Sequence, residues 1–433
     1  MTDSTLHIPH YTLLMYSPSW TKDAIFYQIF PDRFCRSERY HAVGKFVEWG
    51  SKPTRENMFG GNLAGIEDKL EYIAGLGVNA IYLCPIFKSN SNHRYHTVDY
   101  FEIDPVLGTL EDFDRLVKKA HKLKLRVILD GVFNHCSRGF FQFNSLMELG
   151  KNSPYVDWFH VKGWPLNAYT DKPNYECWWN FPALPKFNTD CPDVREYLFS
   201  VGEYWMRRGI DGWRLDVPNE IDDDSFWQEF RRRVKAVNPD AYIVGEIWDD
   251  PIRWLKGDQF DGVMNYVFRK AAMQFLFDEN PISIKEFGER LRKAFPEGRG
   301  DIPMNLLGSH DTTRLMSQPC ASIERIKLAY ALLFFLPGAP CIYYGEELSM
   351  KGGKDPDNRR SVPWNKLTEM QAKPLYEFIK QMVALRNKNA ILRDGKLEIR
   401  AADNGFAVER TLGKKTMTLV VLQEGSELSY RIV

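Results

Sequence analysis

The 433-residue chain is 44% hydrophobic and 26% charged, with 57 Lys+Arg against 57 Asp+Glu. That length exceeds one small domain and supplies a large core, and the balanced charge excludes an electrostatic case for nucleic acid or an anionic membrane as partner. The seven cysteines contain no CxxC pair, which argues against a disulfide framework and for a reducing compartment.

Met1 to Trp20 holds no continuous apolar segment of the kind a secretory leader needs. The longest apolar run, Leu328 to Pro337, is too short to span a bilayer. A cytoplasmic protein is therefore expected. Aromatic residues reach 14%, with 12 Trp and 20 Tyr. They suit core packing or platforms for flat, weakly polar ligands such as sugars.

In chain order, Ala24–Phe30 reads as a buried strand, Asn62–Leu76 as a helix and Val78–Cys84 as the next strand. Leu110–Leu123 is helical in pattern and Leu125–Asp130 is a third strand. Strand and helix alternate on short links, the pattern of right-handed βαβ units and a parallel sheet. Residues 134–190 break this rhythm with aromatics, Pro, Asn and Gly, and read as an inserted domain with small structure of its own.

The alternation resumes with helix Val194–Arg208, strand Gly212–Leu215, helix Asp224–Val237 and strand Ala241–Glu246. Asp261–Asn265 is a short strand followed by helical stretches to Ala294. Strand Ile302–Leu307, helix Ile323–Phe335, strand Ala339–Tyr344 and helix Lys373–Arg386 complete the pattern. Eight strand–helix units predict a (β/α)8 TIM barrel from residues 1–133 and 191–387. Alternating stretches in 388–433 predict a short C-terminal antiparallel β domain, an abbreviated sandwich.

Catalytic groups of such a barrel come from the C-terminal ends of its strands. The second strand leads to His93 and Tyr95, and the third ends Asp130-Gly-Val-Phe-Asn-His135. The fourth ends Arg214-Leu-Asp216, the fifth Gly245-Glu246, and the seventh Gly308-Ser-His-Asp311. Arg214 and Asp216 are two apart, so they leave one face of a strand. Each residue singly suits a strand-end ion pair or a cap. Three acids (Asp216, Glu246, Asp311) beside Arg214, His135 and His310 on one face suit glycoside hydrolysis, since no nucleotide or metal motif accompanies them. Arg214 is expected to keep Asp216 ionised, and the apolar neighbours of Glu246 to keep it protonated.

These motifs resemble the α-amylase family of retaining glycosidases (glycoside hydrolase family thirteen), in its neopullulanase, cyclomaltodextrinase and maltogenic amylase branch. Further matching runs are Gly77-Val-Asn-Ala-Ile-Tyr-Leu-Cys-Pro-Ile86, Leu184-Pro-Lys-Phe-Asn188, Val217-Pro-Asn-Glu220, Gly338-Ala-Pro-Cys-Ile-Tyr-Tyr-Gly345 and Gly352-Gly-Lys-Asp-Pro-Asp-Asn-Arg359. The resemblance implies that Asp216 is the nucleophile, Glu246 the general acid/base and Asp311 the acid that distorts the sugar. It implies that Arg214 orients the nucleophile, that His135 and His310 bind sugar hydroxyls, and that Tyr95 stacks beneath the ring near His93. Asp130 would support the site, Asp355 and Arg359 would line the pocket, and Asn219 and Glu220 would shape the acceptor side.

The implied reaction is α-1,4 cleavage in cyclodextrins, maltooligosaccharides or pullulan, with some α-1,6 cleavage or transglycosylation. An α-glucanotransferase or glucosyl isomerase on the same machinery, and a non-catalytic glucan-binding homologue, are the competing readings. The chain also departs from the branch. Only a short stretch precedes Trp20 where the branch carries a β-rich module, leaving monomer and homodimer both open. His96 replaces the usual Asp after Tyr95, and Glu220 stands where calcium-dependent relatives place a His whose carbonyl binds the ion. No cofactor is expected, and calcium is not supported. The Trp178-Trp179 pair reads as packing of insertion on barrel, or as a sugar-stacking wall.

Overall fold

The computed structural model describes residues 17–295, 302–425 and 427–433. Eight short strands form a parallel sheet: β1 (Phe26–Ile29), β2 (Ala80–Leu83), β5 (Arg126–Gly131), β6 (Gly212–Leu215), β7 (Tyr242–Gly245), β8 (Gly262–Val263), β9 (Met304–Leu306) and β10 (Ala339–Tyr343). Their order is β8-β7-β6-β5-β2-β1-β10-β9, and a parallel bridge between Met264 and Met304 joins the two ends. The sheet is thereby closed into a (β/α)8 barrel. Apart from the first residue of β5, every residue of these strands is buried. The near-continuous apolar runs in the sequence follow from that two-sided burial.

The helices Leu110–Lys122, Pro192–Arg207, Asp224–Val237, Ile323–Phe335 and Pro374–Lys388 lie close to their expected bounds. Thr109 shows why one starts where it does. Its side chain accepts from Asp112 N–H while the Asp112 carboxylate accepts from Thr109 N–H, a capping box. The expected helix over 62–76 is two pieces, Leu63–Asp68 and Leu70–Gly75, broken at Lys69 (φ −107°). The Lys69 ammonium lies over the Trp364 ring at 4.6 Å.

One feature was not anticipated. An antiparallel hairpin, β3 (Phe87–Ser89) with β4 (Thr97–Ile103), follows the second barrel strand and carries His93 and Tyr95 in its loop. The C-terminal strands β11 (Lys396–Ala402), β12 (Gly405–Leu412), β13 (Lys415–Glu424) and β14 (Glu427–Ile432) make the expected antiparallel β domain, as one sequential sheet rather than a sandwich. Ile399, Phe406, Val408, Leu419 and Val421 are buried on its inner face, and Phe406 meets Phe275 and Phe287 edge-on. The barrel's helices take the place of a second sheet.

After β5 the chain leaves the barrel and returns at Pro192. This insertion contains a helix, Phe141–Leu149, and short turns pinned by isolated bridges, among them His135 to Lys186 and Cys177 to Pro185. Its aromatics pack against one another and on the barrel: Phe140 and Trp158 contact Tyr197, and Phe187 contacts Tyr100. The barrel fixes the strand ends, and the insertion walls the mouth they open into.

Candidate active site

Asp216 follows the last residue of β6, and its N–H donates to Gly131 O at 3.0 Å. Glu246 holds the same place after β7, donating to Leu215 O at 3.0 Å. Parallel pairing puts Arg214 level with Asp130 on β5. The Arg214 guanidinium, with no exposed surface, is the centre of the site. Its Nη1 donates to Asp130 Oδ1 at 2.8 Å and to Asp216 Oδ1 at 2.9 Å. Its Nη2 lies 2.8 Å from Glu246 Oε2. One fork therefore holds three carboxylates drawn from three strands.

Each carboxylate has further partners that fix its direction. Asp130 accepts from the hydroxyls of Tyr82 (2.6 Å) and Tyr95 (2.8 Å). Glu246 accepts from Val217 N–H at 3.0 Å and from Trp248 Nε1–H at 3.1 Å, and the Trp248 ring stacks on Tyr266 at 3.7 Å. Val217 sits at φ +36°, a left-handed backbone that a β-branched residue rarely adopts. That strained turn directs its N–H to Glu246.

Burial pushes the Asp216 carboxyl well above the usual range, and repulsion from Glu246 and Asp130 adds to it while Arg214 opposes it. Glu246 and Asp130 are raised for the same leading reason, again against Arg214. Arg214 acts on Asp216 in the expected direction, favouring its ionised form against that burial. One cation stands against three buried carboxyls, and the cluster shares protons as a unit. The upward shift expected for Glu246 is present.

Asp311 follows β9 in the turn Ser309–Thr312 and is the most open of the three acids, its side chain 30% exposed. Its Oδ2 lies 3.2 Å from His310 Nε2 and its Oδ1 3.4 Å from Arg359 Nη2. His310 stacks on Tyr95 at 5.4 Å with an interplanar angle of 4°. Gln28 Nε2 faces His310 Nδ1 at 2.9 Å, so the ring proton is assigned to Nε2, 2.6 Å from the Tyr95 hydroxyl. A chain of donors then runs from His310 through Tyr95 to Asp130.

His135 is buried with Nε2 unpartnered, and its ring stacks on Trp178 at 5.4 Å. Burial lowers the His135 pKa to about 3 and holds His310 and His93 well below the usual histidine value, which favours their neutral forms. His93 Nδ1 accepts from Tyr95 N–H at 3.1 Å and shapes the loop that presents Tyr95. His96 meets His93 edge-on at 4.9 Å, and burial brings it down to about 4. It is a neutral ring in the position where the branch has a carboxylate.

Asp355 and Arg359 pair at 2.9 Å beside Asp311. Asn219 and Glu220 lie in the turn Pro218–Glu220 directly after Asp216 and Val217, and Lys186 Nζ from the insertion donates to Glu220 O at 2.6 Å. Asp130, Asp216, Glu246, Tyr95, His93, His310, Asp311, Arg359 and Asp355 are thus joined in one network with Arg214, whereas the contacts of His135 run to Asn134 and Trp178 and the Glu220 carbonyl meets Lys186.

Residues 28–372 match the family model described as Alpha amylase, catalytic domain. The chain belongs to the alpha-amylase family. It is 45% identical over 420 residues to a cyclomaltodextrinase of Geobacillus thermopakistaniensis, covering 95% of this chain and 71% of that protein. It is 42% identical over 427 residues to neopullulanase 2 of Thermoactinomyces vulgaris, covering 96% and 72%. Among solved structures, the cyclic alpha-maltosyl-(1→6)-maltose hydrolase of Arthrobacter globiformis superposes with a TM-score of 0.89 at 41% identity, covering 94% of this chain and 92% of that one.

For this alpha-amylase family member, sequence reasoning missed several supporting residues. Tyr82 and Gln28 sit inside apolar strand runs, and a polar side chain in a two-sided buried strand is itself a signal. Asn358 was inside a quoted motif but unassigned. Its Nδ2 donates to the carbonyls of Ser309 (3.3 Å), His310 (2.6 Å) and Thr312 (3.0 Å), clamping the turn that carries Asp311. Trp248, two residues after Glu246, is the indole that donates to it.

Proposed function

We propose that the protein is a retaining α-glucan hydrolase of the alpha-amylase family, acting on α-1,4 bonds in cyclic or linear glucan oligosaccharides. The observation that carries this is the Arg214 fork, whose Nη1 meets Asp216 and whose Nη2 meets Glu246. One guanidinium in contact with both carboxylates holds them at one site, as a nucleophile and an acid/base acting on the same glycosidic bond require.

In the forward step Asp216 attacks the anomeric carbon while the Glu246 proton passes to the leaving glycosidic oxygen. A glycosyl ester on Asp216 forms as the old bond breaks. Glu246, now ionised, takes a proton from water, which attacks the same carbon and releases the sugar with its original anomeric configuration. Asp311 and the neutral His310 and His135 hold hydroxyls, Tyr95 lies under the ring, and Asp355 with Arg359 bounds the far end. Asn219 and Glu220 face the acceptor. The names of the relatives support cyclic maltooligosaccharides and pullulan as substrates alongside linear chains.

Calcium has no part in this reading. The Glu220 carbonyl already receives the Lys186 ammonium. A cytoplasmic location accords with seven unpaired cysteines. No helix of the described residues is long and apolar enough to cross a membrane. Incubation with maltotriose followed by chromatography tests the reading. Glucose and maltose as main products support it; products longer than maltotriose, or isomerised ones, make the enzyme a transferase or isomerase instead.

A further inference from the structure

Trp178 and Trp179 behave differently. Trp178 is half-buried, and it stacks against His135 at 5.4 Å and against Trp179 at 4.8 Å with an interplanar angle of 10°. Packing accounts for it. Trp179 is 71% exposed although one ring contact is already made, and Phe181 beside it is 52% exposed. Leaving so much aromatic surface in water forfeits the burial that keeps such residues in cores.

The backbone is also strained to achieve this exposure. Trp179 (φ +47°) and Asn180 (φ +58°) are consecutive left-handed residues, neither of them glycine. The loop is nonetheless tightly built. Phe181 N–H donates to Trp178 O at 2.9 Å, Leu184 N–H to Phe181 O at 2.9 Å, and Trp178 N–H to Leu184 O at 3.0 Å. Its base bridges Cys177 to Pro185, and the next residue, Lys186, donates to Glu220 O in the turn after Asp216. The ring is therefore held at a set place relative to the reacting carboxylates. His135, Trp178 and Trp179 form a succession of stacked rings leading from the buried site to open solvent.

We propose that the solvent-facing side of Trp179 is a binding platform for a glucosyl ring of the substrate chain, outside the sugars flanking the cleaved bond. A rigid indole presents a broad apolar face to the axial C–H groups of a pyranose, while the sugar hydroxyls at the ring edge stay in water. Such a contact is made only by glucans long enough, or curved enough, to reach from Asp216 to the insertion. It makes chain length a determinant of turnover. The proposal rests on the glycosidase reading above.

The test compares kcat/KM for maltohexaose with that for maltotriose in the wild type, Trp179→Ala and Trp179→Phe. Loss of one stacked ring lowers the maltohexaose-to-maltotriose ratio about tenfold in Trp179→Ala. Trp179→Phe, which keeps an aromatic face, retains the ratio within about threefold. Maltohexaose titrated calorimetrically into Asp216→Asn protein, with and without Trp179→Ala, shows the same loss in affinity. An unchanged ratio in Trp179→Ala, or equal losses in the Ala and Phe variants, overturns the platform while leaving the hydrolase intact. Failure of the wild type to cleave either sugar overturns the glycosidase reading first, and the platform with it.

Discussion

Replacing Arg214 with Met removes the cation that three buried carboxylates share. Charge centres ~4 Å apart attract by about 4 kcal/mol at an effective dielectric of ~20, equivalent to ~3 pKa units. Relaxation and protonation of Asp130 absorb part of this, so a rise of about 1–2 units is expected for the carboxyl that must ionise to attack. The sign follows from Arg214 opposing the upward push of burial on Asp216. Without it, Asp216 stays protonated to higher pH, and the acid limb of kcat/KM moves up. At neutral pH kcat falls by about a thousandfold or more, because orientation of the nucleophile is lost as well. Arg214→Lys falls between, since one ammonium cannot face three carboxylates as the fork does. The assay is reducing-sugar release from maltotriose across a pH series, on protein checked for folding by circular dichroism. An acid limb that stays in place in folded Arg214→Met protein refutes the reasoning.

Glu346, fully buried beside Arg314, is pushed by burial from an ordinary carboxyl value to about 7. Its favourable contribution to the fold is complete below the unfolded-state pKa and is lost as pH rises through about 7. Glu346→Gln therefore gains stability relative to the wild type between pH 5 and pH 8, by up to about 3 kcal/mol in urea denaturation; a pH-independent difference would falsify this linkage. Asn358→Ala frees the Ser309–Thr312 turn from its triple clamp, and kcat should drop by about a hundredfold with KM nearly constant, since Asp311 acts chiefly in the transition state. A rise in KM with kcat intact would mean that the clamp serves ground-state binding. Dialysis against a chelator should change neither kcat nor melting temperature; activity restored only by calcium contradicts the role given to Lys186.

The barrel was legible because each strand is a short apolar run bounded by Gly or Pro, and each helix carries an amphipathic period. The hairpin β3–β4 was not, because Phe87–Ser89 is only three residues and its partner mixes polar with apolar positions. The C-terminal strands were visible by alternation, but what covers their inner face is set by tertiary packing on helices far away in sequence. At the site, the strand-end positions of Arg214, Asp216 and Glu246 in the sequence already imply that they converge. Their proton balance was not readable, since it depends on complete burial and on Asp130 joining the same guanidinium. Nor could spacing distinguish Trp178 from Trp179, because only the left-handed turn makes one a packing residue and the other an exposed face.

The central claim is that Asp216 forms a glycosyl ester with Glu246 as its proton donor. A 5-fluoro-glucosyl fluoride slows the second step more than the first and lets that ester accumulate. After brief incubation and proteolysis, mass spectrometry should find one fluoroglucosyl addition, on the peptide containing Asp216, and Glu246→Gln protein given the same fluoride, whose leaving group needs little acid assistance, should still acquire it. A label on Glu246 or Asp311, or an active enzyme that releases inverted product and never carries a label, contradicts the account.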